Sequence, residues 1–194
     1  MSAPFTALLI ANRGEIAIRI ARACADLEIR SVAVFAEDDD ASLHTRKADL
    51  AVPLKGRGVP AYLDMDQLIA IAAAQGCDAI HPGYGFLSEN ADFAERVERS
   101  GFTFIGPSPD SIRTMGDKVA AKQAMIKSGV PCVPGSEGSL PEDNREIIKI
   151  ARTIGYPVII KASGGGGGRG MRVVHTEAAL LNAVQTTRSE AGAA

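Results

Sequence analysis

Tryptophan is absent from this sequence, and cysteine is scarce. The three cysteines, Cys24, Cys77 and Cys132, lie far apart and form no CxxC pair. This spacing argues against a disulfide scaffold or a zinc site and favours a reducing cytosol. Each cysteine is most simply interpreted as a small buried hydrophobic residue.

An excess of positive charge and a long apolar run are also missing. The net charge of −2 argues against non-specific binding to nucleic acid, and no apolar run reaches the length that spans a bilayer. Residues 1–4 lack the basic and apolar segments of a signal peptide, so we expect a cytoplasmic protein without a nucleic-acid or membrane partner. With 194 residues, 46% of them hydrophobic, the chain can bury a core of one large domain or of one and a half ordinary ones.

Glycine, in contrast, is concentrated near the end of the chain. Five consecutive glycines, 164–168, lie between two short β-branched segments, 158–160 and 171–174. This pattern predicts a strand, a loop and a second strand. Because glycine has no Cβ, the N–H groups of such a loop can close on an anion. Lys161 stands at the root of the loop, so the stretch is typical of a flap that covers phosphate groups.

Three other interpretations fit this glycine stretch less well. A flexible linker seldom lies between two apolar strands. A Walker loop needs Gly-Lys-Ser/Thr at the start of a helix, whereas Lys161 precedes the glycines. The glycines of a dinucleotide fingerprint also open a helix, whereas these lead into a strand. A loop that folds over a nucleotide, as in kinases, fits better.

The first half of the chain alternates strand and helix patterns. Residues 7–11 and 32–35 are predicted strands on either side of a helix, which indicates the α/β class with a parallel sheet. Residues 12–15 either bind an anion at the helix N-terminus or form a simple cap and turn. We expect the core face of the helix to contain Ile16, Ile20, Ala23, Cys24 and Leu27.

Two polar stretches follow later strands. Acidic residues 37–40 suggest a metal cluster, but a solvated loop that caps the next helix is the simpler interpretation, and we expect His44 nearby on the surface. Tyr84 and Gly85 lie in a loop, 82–90, directly after a predicted strand. Ligands of open α/β sheets bind at the carboxyl ends of the strands, so this loop either binds a ligand or forms a tight turn with a buried tyrosine and a core histidine, His81.

Lys118 lies in the first turn of a predicted helix, 118–128, with Asp117 as its cap. The helix dipole disfavours a cation at that end, so Lys118 either meets a ligand phosphate or is an ordinary surface lysine. Residues 129–135 are rich in proline and glycine and form the candidate domain boundary.

Five motifs, in this order along the chain, resemble the biotin carboxylase family. They are Ile10-Ala11-Asn12-Arg13-Gly14-Glu15-Ile16-Ala17, residues 81–90, Phe104-Ile105-Gly106-Pro107, Met115-Gly116-Asp117-Lys118, and residues 160–171. The likeness covers essentially the whole chain. It is similar to the biotin carboxylase subunit of acyl-CoA carboxylases, such as acetyl-CoA or propionyl-CoA carboxylase, and to the front of pyruvate and urea carboxylases.

This resemblance implies an ATP-grasp ligase. The fold would comprise a Rossmann-like N-terminal domain, 1–112, a helical linker, 113–134, and part of the ATP-grasp glycine-flap domain, 135–194. Family members use ATP with Mg²⁺ (or Mn²⁺) and bicarbonate to form carboxyphosphate, and then carboxylate biotin on a carrier protein. The implied partners are a biotin carboxyl carrier protein or domain, a carboxyltransferase subunit and a second copy in a homodimer, with a role in fatty acid biosynthesis.

The resemblance also implies binding residues for ATP and for biotin. Tyr84 and Gly85 would lie beside biotin. The residues implied for ATP are Lys118 and Lys161 at the phosphates, Lys161 near the α-phosphate, Gly167 and Gly168 as N–H donors over the β- and γ-phosphates, and Met171.

One departure from the family is large. In the family, the adenine-binding hinge, the metal-binding glutamates, the arginine that binds bicarbonate and the general base come later in the chain. After the glycine loop, the only carboxylate side chains here are Glu177 and Glu190. We therefore expect no catalytic and no metal-binding residue in these 194 residues, and no carboxylation of biotin by them alone. The alternative is a complete, non-catalytic module that binds nucleotide or dimerises.

Overall fold

The computed structural model describes residues 5–136, 138–161 and 170–191. The chain divides into two compact units, Met1–Arg113 and Thr114–Ala194. The further division of the second unit into a linker, 113–134, and a flap domain, 135–194, stays a prediction. No helix within the described ranges is long and apolar enough to cross a bilayer.

The first unit contains a five-stranded parallel sheet, as predicted, with the order β3-β2-β1-β4-β5. The central strand β1 is buried along its whole length, because alternate residues supply two cores. Leu8 and Ile10 pack on one face of the sheet and Leu9 on the other. Continuous apolar runs are typical of parallel strands that are covered on both faces. The strands are β1 Ala7–Ile10, β2 Arg30–Phe35, β3 Leu50–Pro53, β4 Ala79–His81 and β5 Thr103–Phe104.

Helices cover both faces of this sheet. One core contains α1 and the other contains residues of α2, α3 and α4. Asp64 and Asn90 cap α3 and α4 by accepting a backbone N–H from the first turn. A short 3-10 helix, Leu43–Arg46, precedes β3. The α-helices are α1 Gly14–Asp26, α2 Gly58–Tyr62, α3 Met65–Ala74, α4 Ala91–Arg99 and α5 Pro109–Gly116, which crosses the boundary between the units.

The predicted core face of α1 is partly wrong. Ala23 and Leu27 are exposed, and Leu27 keeps 63% of its surface accessible. Ala17 and Ala21 are buried instead, beside Ile20 and Cys24. The helix approaches the sheet through small alanines, so its buried face is rotated relative to the face of the larger apolar residues.

The second unit is built on an antiparallel pair of strands, β6 and β7. Asp117 and Asp143 cap α6 and α7, and Asp117 was predicted as a cap. The strands occur where the sequence predicts them, on either side of the glycine stretch. The glycines 164–168 lie outside the described residues. The elements are α6 Lys118–Lys127, α7 Asn144–Ile154, β6 Val158–Lys161, β7 Met171–Val174 and α8 Glu177–Ala191.

The β6–β7 pair is buried on one face. Val158, Ile160 and Val174 pack against α7 and α8. Ile159 and Val173, which oppose each other across the pair, are 50% and 58% exposed. Successive side chains of a strand point to opposite faces of the sheet, so this alternation leaves an apolar surface open.

Candidate functional site

A cleft in the first unit lies where the strand order of the sheet reverses. Strands β1 and β4 are parallel neighbours, with Ile10 opposite His81, so the loops that follow them leave the same edge. These loops and the first turn of α1 line a cleft of about 440 Å³. Parallel sheets bind ligands at this position. The lining residues are Asn12, Arg13, Gly14, Glu15, Ile16, Tyr84, Gly85 and Phe86.

Tyr84 projects into solvent at this cleft. It is 63% exposed, and its hydroxyl donates a hydrogen bond to Glu15 Oε2 at 2.9 Å. That hydrogen bond raises the pKa of Tyr84. The alternative interpretation of loop 82–90, a turn with a buried tyrosine, is therefore wrong. Gly83 and Gly85 have φ values of 67° and 69°, in the left-handed region that glycine adopts without a steric penalty.

Asn12 joins the two loops of the cleft. It is 1% exposed, and its amide nitrogen donates to the carbonyl oxygens of Pro82 at 2.7 Å and Tyr84 at 3.0 Å. Its Oδ1 accepts the N–H of Arg13 at 2.9 Å. The Asn12 side chain therefore binds the loop after β4.

His81 fixes the start of the same loop. Its Nδ1 accepts the N–H of Gly83 at 3.0 Å, which requires a hydrogen-free Nδ1 and hence a neutral ring at neutral pH. Burial lowers the pKa of His81 and favours that neutral form. His81 also lines an apolar groove of about 480 Å³ beside α1, together with Ala23 and Leu27.

In the acidic loop 37–40, which we expected to be solvated, Glu37, Asp38 and Asp40 are exposed and only Asp39 departs from that expectation. Asp39 is 8% exposed and accepts two hydrogen bonds from Arg13, from Nε at 2.5 Å and Nη2 at 2.6 Å. It also accepts the hydroxyl of Tyr62 at 2.8 Å. The Arg13 guanidinium lowers the pKa of Asp39 to about 2, and burial raises the pKa of Tyr62 to about 12. A carboxylate is buried at this position because a bidentate guanidinium compensates for its desolvation.

His44 also differs from the expected surface position. It is 1% exposed, and its Nε2 hydrogen-bonds the carbonyl oxygen of Val34 at 3.1 Å. Burial lowers the pKa of His44. The sequence analysis missed both the burial of His44 and the hydrogen-bonded group of Arg13, Asp39 and Tyr62. One signal in the sequence could have predicted the pair of Arg13 and Asp39. Arg13 follows β1 and Asp39 follows its parallel neighbour β2, so the two opposite charges leave the same edge of the sheet.

The open face of the β6–β7 pair carries two of the residues predicted for ATP, Lys161 and Met171. Lys161 is exposed at the end of β6, opposite Met171 at the start of β7. Met171 is 45% exposed and lies on the same face as Ile159 and Val173. This face therefore combines an apolar surface with a cation at the entrance to the glycine stretch.

The remaining predicted ATP residues are only partly described. Lys118 is exposed in the first turn of α6, as predicted. Gly167 and Gly168 lie outside the described residues. Within the described ranges, no group of three or more His, Cys, Asp or Glu side chains converges.

The sheet, its cleft and the β6–β7 pair define an α/β protein with a cleft at one edge of a parallel sheet and a separate antiparallel pair of strands. A comparison with family models matches residues 4–112 to "Biotin carboxylase, N-terminal domain". Residues 117–194 match "Carbamoyl-phosphate synthase L chain, ATP binding domain". The first match covers more than half of the chain, and the chain therefore belongs to the biotin carboxylase family.

Curated relatives agree with this assignment. The biotin carboxylase of Allochromatium vinosum is 57% identical over 195 residues, which cover 100% of this chain and 43% of the relative. The pyruvate carboxylase of Aspergillus terreus is 50% identical over 98% of this chain, but over only 16% of its own length. The chain thus spans less than half the length of the biotin carboxylases that it matches.

A solved structure shows the same fold. The biotin carboxylase domain dimer of Hydrogenobacter thermophilus 2-oxoglutarate carboxylase, solved with MgADP, ADP and bicarbonate, has a TM-score of 0.85 and 45% identity. The alignment covers 98% of this chain and 42% of that domain. The expected ATP-grasp class of fold is confirmed by these neighbours.

Proposed function

We propose that this chain supplies the biotin-facing cleft and the nucleotide-binding hairpin of a biotin carboxylase. That enzyme would use MgATP and bicarbonate to form carboxyphosphate and then carboxylate biotin on a carrier protein. The observation that carries the proposal is 57% identity to a biotin carboxylase along the whole chain. The relative's remaining length has no counterpart here, so the reaction is proposed for the native gene product.

The hairpin face has the chemistry that a nucleotide requires. The adenine ring of ATP would stack on the side chains of Ile159, Met171 and Val173, which are about half exposed within the described part of the chain. Lys161 would bind phosphate near the α position, and Lys118 would bind a second phosphate. We propose Gly167 and Gly168 as backbone N–H donors over the β- and γ-phosphates, since phosphoryl transfer depends on positioned cations and donors.

The cleft of the first unit would hold the ureido ring of biotin beside Tyr84 and Gly85. Its volume of about 440 Å³ suits a small ring system. Tyr84 offers an exposed aromatic face, and Gly85 allows a ligand to approach the backbone closely. The Mg²⁺ that ATP brings would neutralise phosphate charge, and the described residues supply no cluster of ligands for it.

The wider setting follows from the same family. We propose that the carboxyl group is delivered to a biotin carboxyl carrier protein and a carboxyltransferase of the acetyl-CoA carboxylase type, in the cytoplasm and for fatty acid biosynthesis. The Hydrogenobacter relative is a domain dimer, which supports a homodimer here.

A second candidate is the front of a multidomain carboxylase. The 50% identity to a pyruvate carboxylase supports it, but the identity to the biotin carboxylase is higher. The mass of the native gene product separates the two candidates, because the pyruvate carboxylase is about six times as long as this chain.

The direct test is to purify the native gene product and measure ADP release. We expect release that requires bicarbonate and increases when biotin is added. A product of the length of the Allochromatium relative that cleaves no ATP under these conditions would contradict the proposal.

A binding experiment tests the hairpin separately. Lys161→Ala should weaken ATP binding by about 1.5–3 kcal/mol, the range for hydrogen bonds to charged groups. Lys149→Ala, which removes an exposed lysine from α7 of the same unit, is the matched control and should leave the affinity unchanged. Equal affinities for the two variants would mean that Lys161 does not contact phosphate.

A further inference from the structure

The loop that carries Tyr84 and Gly85 is held from one side by Asn12, in the loop that leads from β1 into α1. The two amide hydrogens of Asn12 are both used, because its nitrogen donates to the carbonyl oxygens of Pro82 and Tyr84. The amide oxygen is used as well, by the N–H of Arg13. An asparagine amide offers two donors and one acceptor group, so every polar atom of this buried side chain has a defined partner.

The turn between the carbonyls of Pro82 and Tyr84 is tightly packed at Gly83. Gly83 lies between them, and a Cβ at Gly83 would be 2.6 Å from Ile16 Cγ2 and 2.7 Å from Asn12 Nδ2. On the other flank, His81 Nδ1 accepts the N–H of Gly83. The backbone from His81 to Tyr84 is therefore fixed by contacts on both flanks.

One consequence concerns the peptide that joins Tyr84 to Gly85. The C=O and N–H of a trans peptide point in opposite directions. Since the Tyr84 carbonyl points toward Asn12, the Gly85 N–H points away from it. Within the described part of the chain, this N–H has no hydrogen-bond partner, so it is available to an incoming acceptor.

Tyr84 is held by two residues: Asn12 binds its backbone carbonyl and Glu15 binds its side chain. The Glu15 carboxylate accepts the hydroxyl of Tyr84 at 2.9 Å, although the tyrosine is largely exposed. Asn12 and Glu15 are three residues apart, Asn12 in the loop before α1 and Glu15 in its first turn. One short segment thus sets both the peptide plane and the ring position of Tyr84.

We propose that Asn12 and Glu15 are positioning residues for the biotin site, because they set the Tyr84 ring and the Gly85 N–H in place before the ligand arrives. The inference rests on the proposed function, in which Tyr84 and Gly85 lie beside biotin. Preorganised groups bind a ligand without the entropic cost of ordering them. The expected signature is therefore a change in the KM for biotin, with the KM for ATP unaffected.

Asn12→Asp is the sharpest variant, since it keeps the shape and replaces two donors by a carboxylate that faces two carbonyl oxygens. In the native gene product, we expect the KM for biotin to rise about tenfold or more. The KM for ATP and the rate of bicarbonate-dependent ATP cleavage without biotin should stay within about twofold of wild type. An unchanged KM for biotin in a folded Asn12→Asp protein would overturn the proposal.

The matched control removes a buried hydrogen bond at the opposite end of the same sheet. Ser31 is 2% exposed, and its hydroxyl donates to Asp49 at 2.7 Å near the start of β2. Ser31→Ala should lower the thermal midpoint and leave the KM for biotin unchanged. If Ser31→Ala raises the KM for biotin as much as Asn12→Asp does, the effect is a general loss of stability and the proposal fails.

A second pair of variants covers the case in which Asn12→Asp does not fold. Glu15 is exposed, so Glu15→Ala should fold normally and raise the KM for biotin about threefold. Glu15→Gln keeps an oxygen that accepts the Tyr84 hydroxyl and should restore the wild-type value. Equal KM values for wild type and Glu15→Ala would overturn the role of Glu15.

The response of the wild-type protein to biotin separates failure of the proposed function from failure of the positioning role of Asn12 and Glu15. If the wild type shows no response to biotin, the proposed function fails and the positioning role fails with it. If the wild type responds to biotin and all variants keep its KM, only the positioning role is wrong.

Discussion

The two units of the chain bury their strands in different ways. In the first unit, β1 is buried at every residue, and its neighbours β2 and β4 are almost as enclosed. In the second unit, β6 alternates buried and exposed residues. Most side chains of the enclosed strands pack into the core, so the cleft of the first unit is lined by the loops beyond the strands and the first turn of α1. The half-exposed strands can contribute their own side chains to a ligand surface.

The largest expected effect is a difference in stability between two alanine variants, one in the enclosed strand β1 and one in the half-exposed strand β6. Leu9 is 0% exposed in β1, and Leu9→Ala should lower the free energy of unfolding by about 3–4 kcal/mol, because it removes buried contacts and leaves a cavity. Ile159 is half exposed in β6, and Ile159→Ala should change it by less than about 0.5 kcal/mol. Urea denaturation of both variants measures the difference.

The same pair also tests what each strand does. Ile159→Ala should weaken ATP binding by about 1–2 kcal/mol, since it removes methylene groups that ATP would cover. If Ile159→Ala destabilises the fold as strongly as Leu9→Ala and leaves ATP affinity intact, the face of β6 is structural and the contrast between the units disappears.

A smaller effect is expected at the ion pair between Arg13 and the buried carboxylate of Asp39. The folded-state pKa of Asp39 is about 2, against an ordinary value of 3.8, which corresponds to about 2 kcal/mol of stability above pH 4. Because the folded pKa is lowered, this contribution is present at neutral pH and is lost as the pH falls from about 4 to 2. Asp39→Asn should therefore be about 2 kcal/mol less stable than wild type at pH 7, and the gap should narrow at pH 3.

Asp40→Asn is the control for this measurement. Asp40 is the next residue of the same loop and is exposed, so its replacement should change stability by less than about 0.5 kcal/mol. A gap between wild type and Asp39→Asn that does not depend on pH would mean that lost packing, and not the ion pair, explains the destabilisation.

The smallest expected effect is the response of His44 to mild acid. Burial lowers the pKa of His44, so the unfolded chain takes up a proton before the folded protein does. Stability should therefore fall as the pH drops below about 6.5, the ordinary pKa of histidine. His44→Gln keeps a donor for the Val34 carbonyl and removes the titration, so its stability should fall less between pH 7 and pH 5. His81, whose pKa is also lowered by burial, contributes in the same direction in both proteins. Identical slopes for wild type and variant would show that His44 does not titrate differently on folding.

Features set by a local pattern of residues were predictable from the sequence, and features set by packing between elements were not. The β-branched runs at 158–160 and 171–174 predicted both strands of the second unit, because β-branched residues favour the extended conformation through local interactions. From its place after a strand, the loop at Tyr84 was expected either to bind a ligand or to form a tight turn, and the structure has a cleft beside it. The rotated face of α1 was not predictable in this way, because small alanines decide how closely a helix approaches a sheet.

Local sequence patterns were enough to predict many elements of this protein: the enclosed strands, several capped helices, the strands beside the glycine stretch and the family motifs. Which loops come together depends on the tertiary fold. Arg13 hydrogen-bonds Asp39, which is 26 residues away in the sequence, and Asn12 hydrogen-bonds Tyr84, which is 72 residues away. These contacts depend on strand order, since β1 lies between β2 and β4. A local pattern of apolar and polar residues specifies a strand and its faces, but it carries no information about the neighbours of that strand.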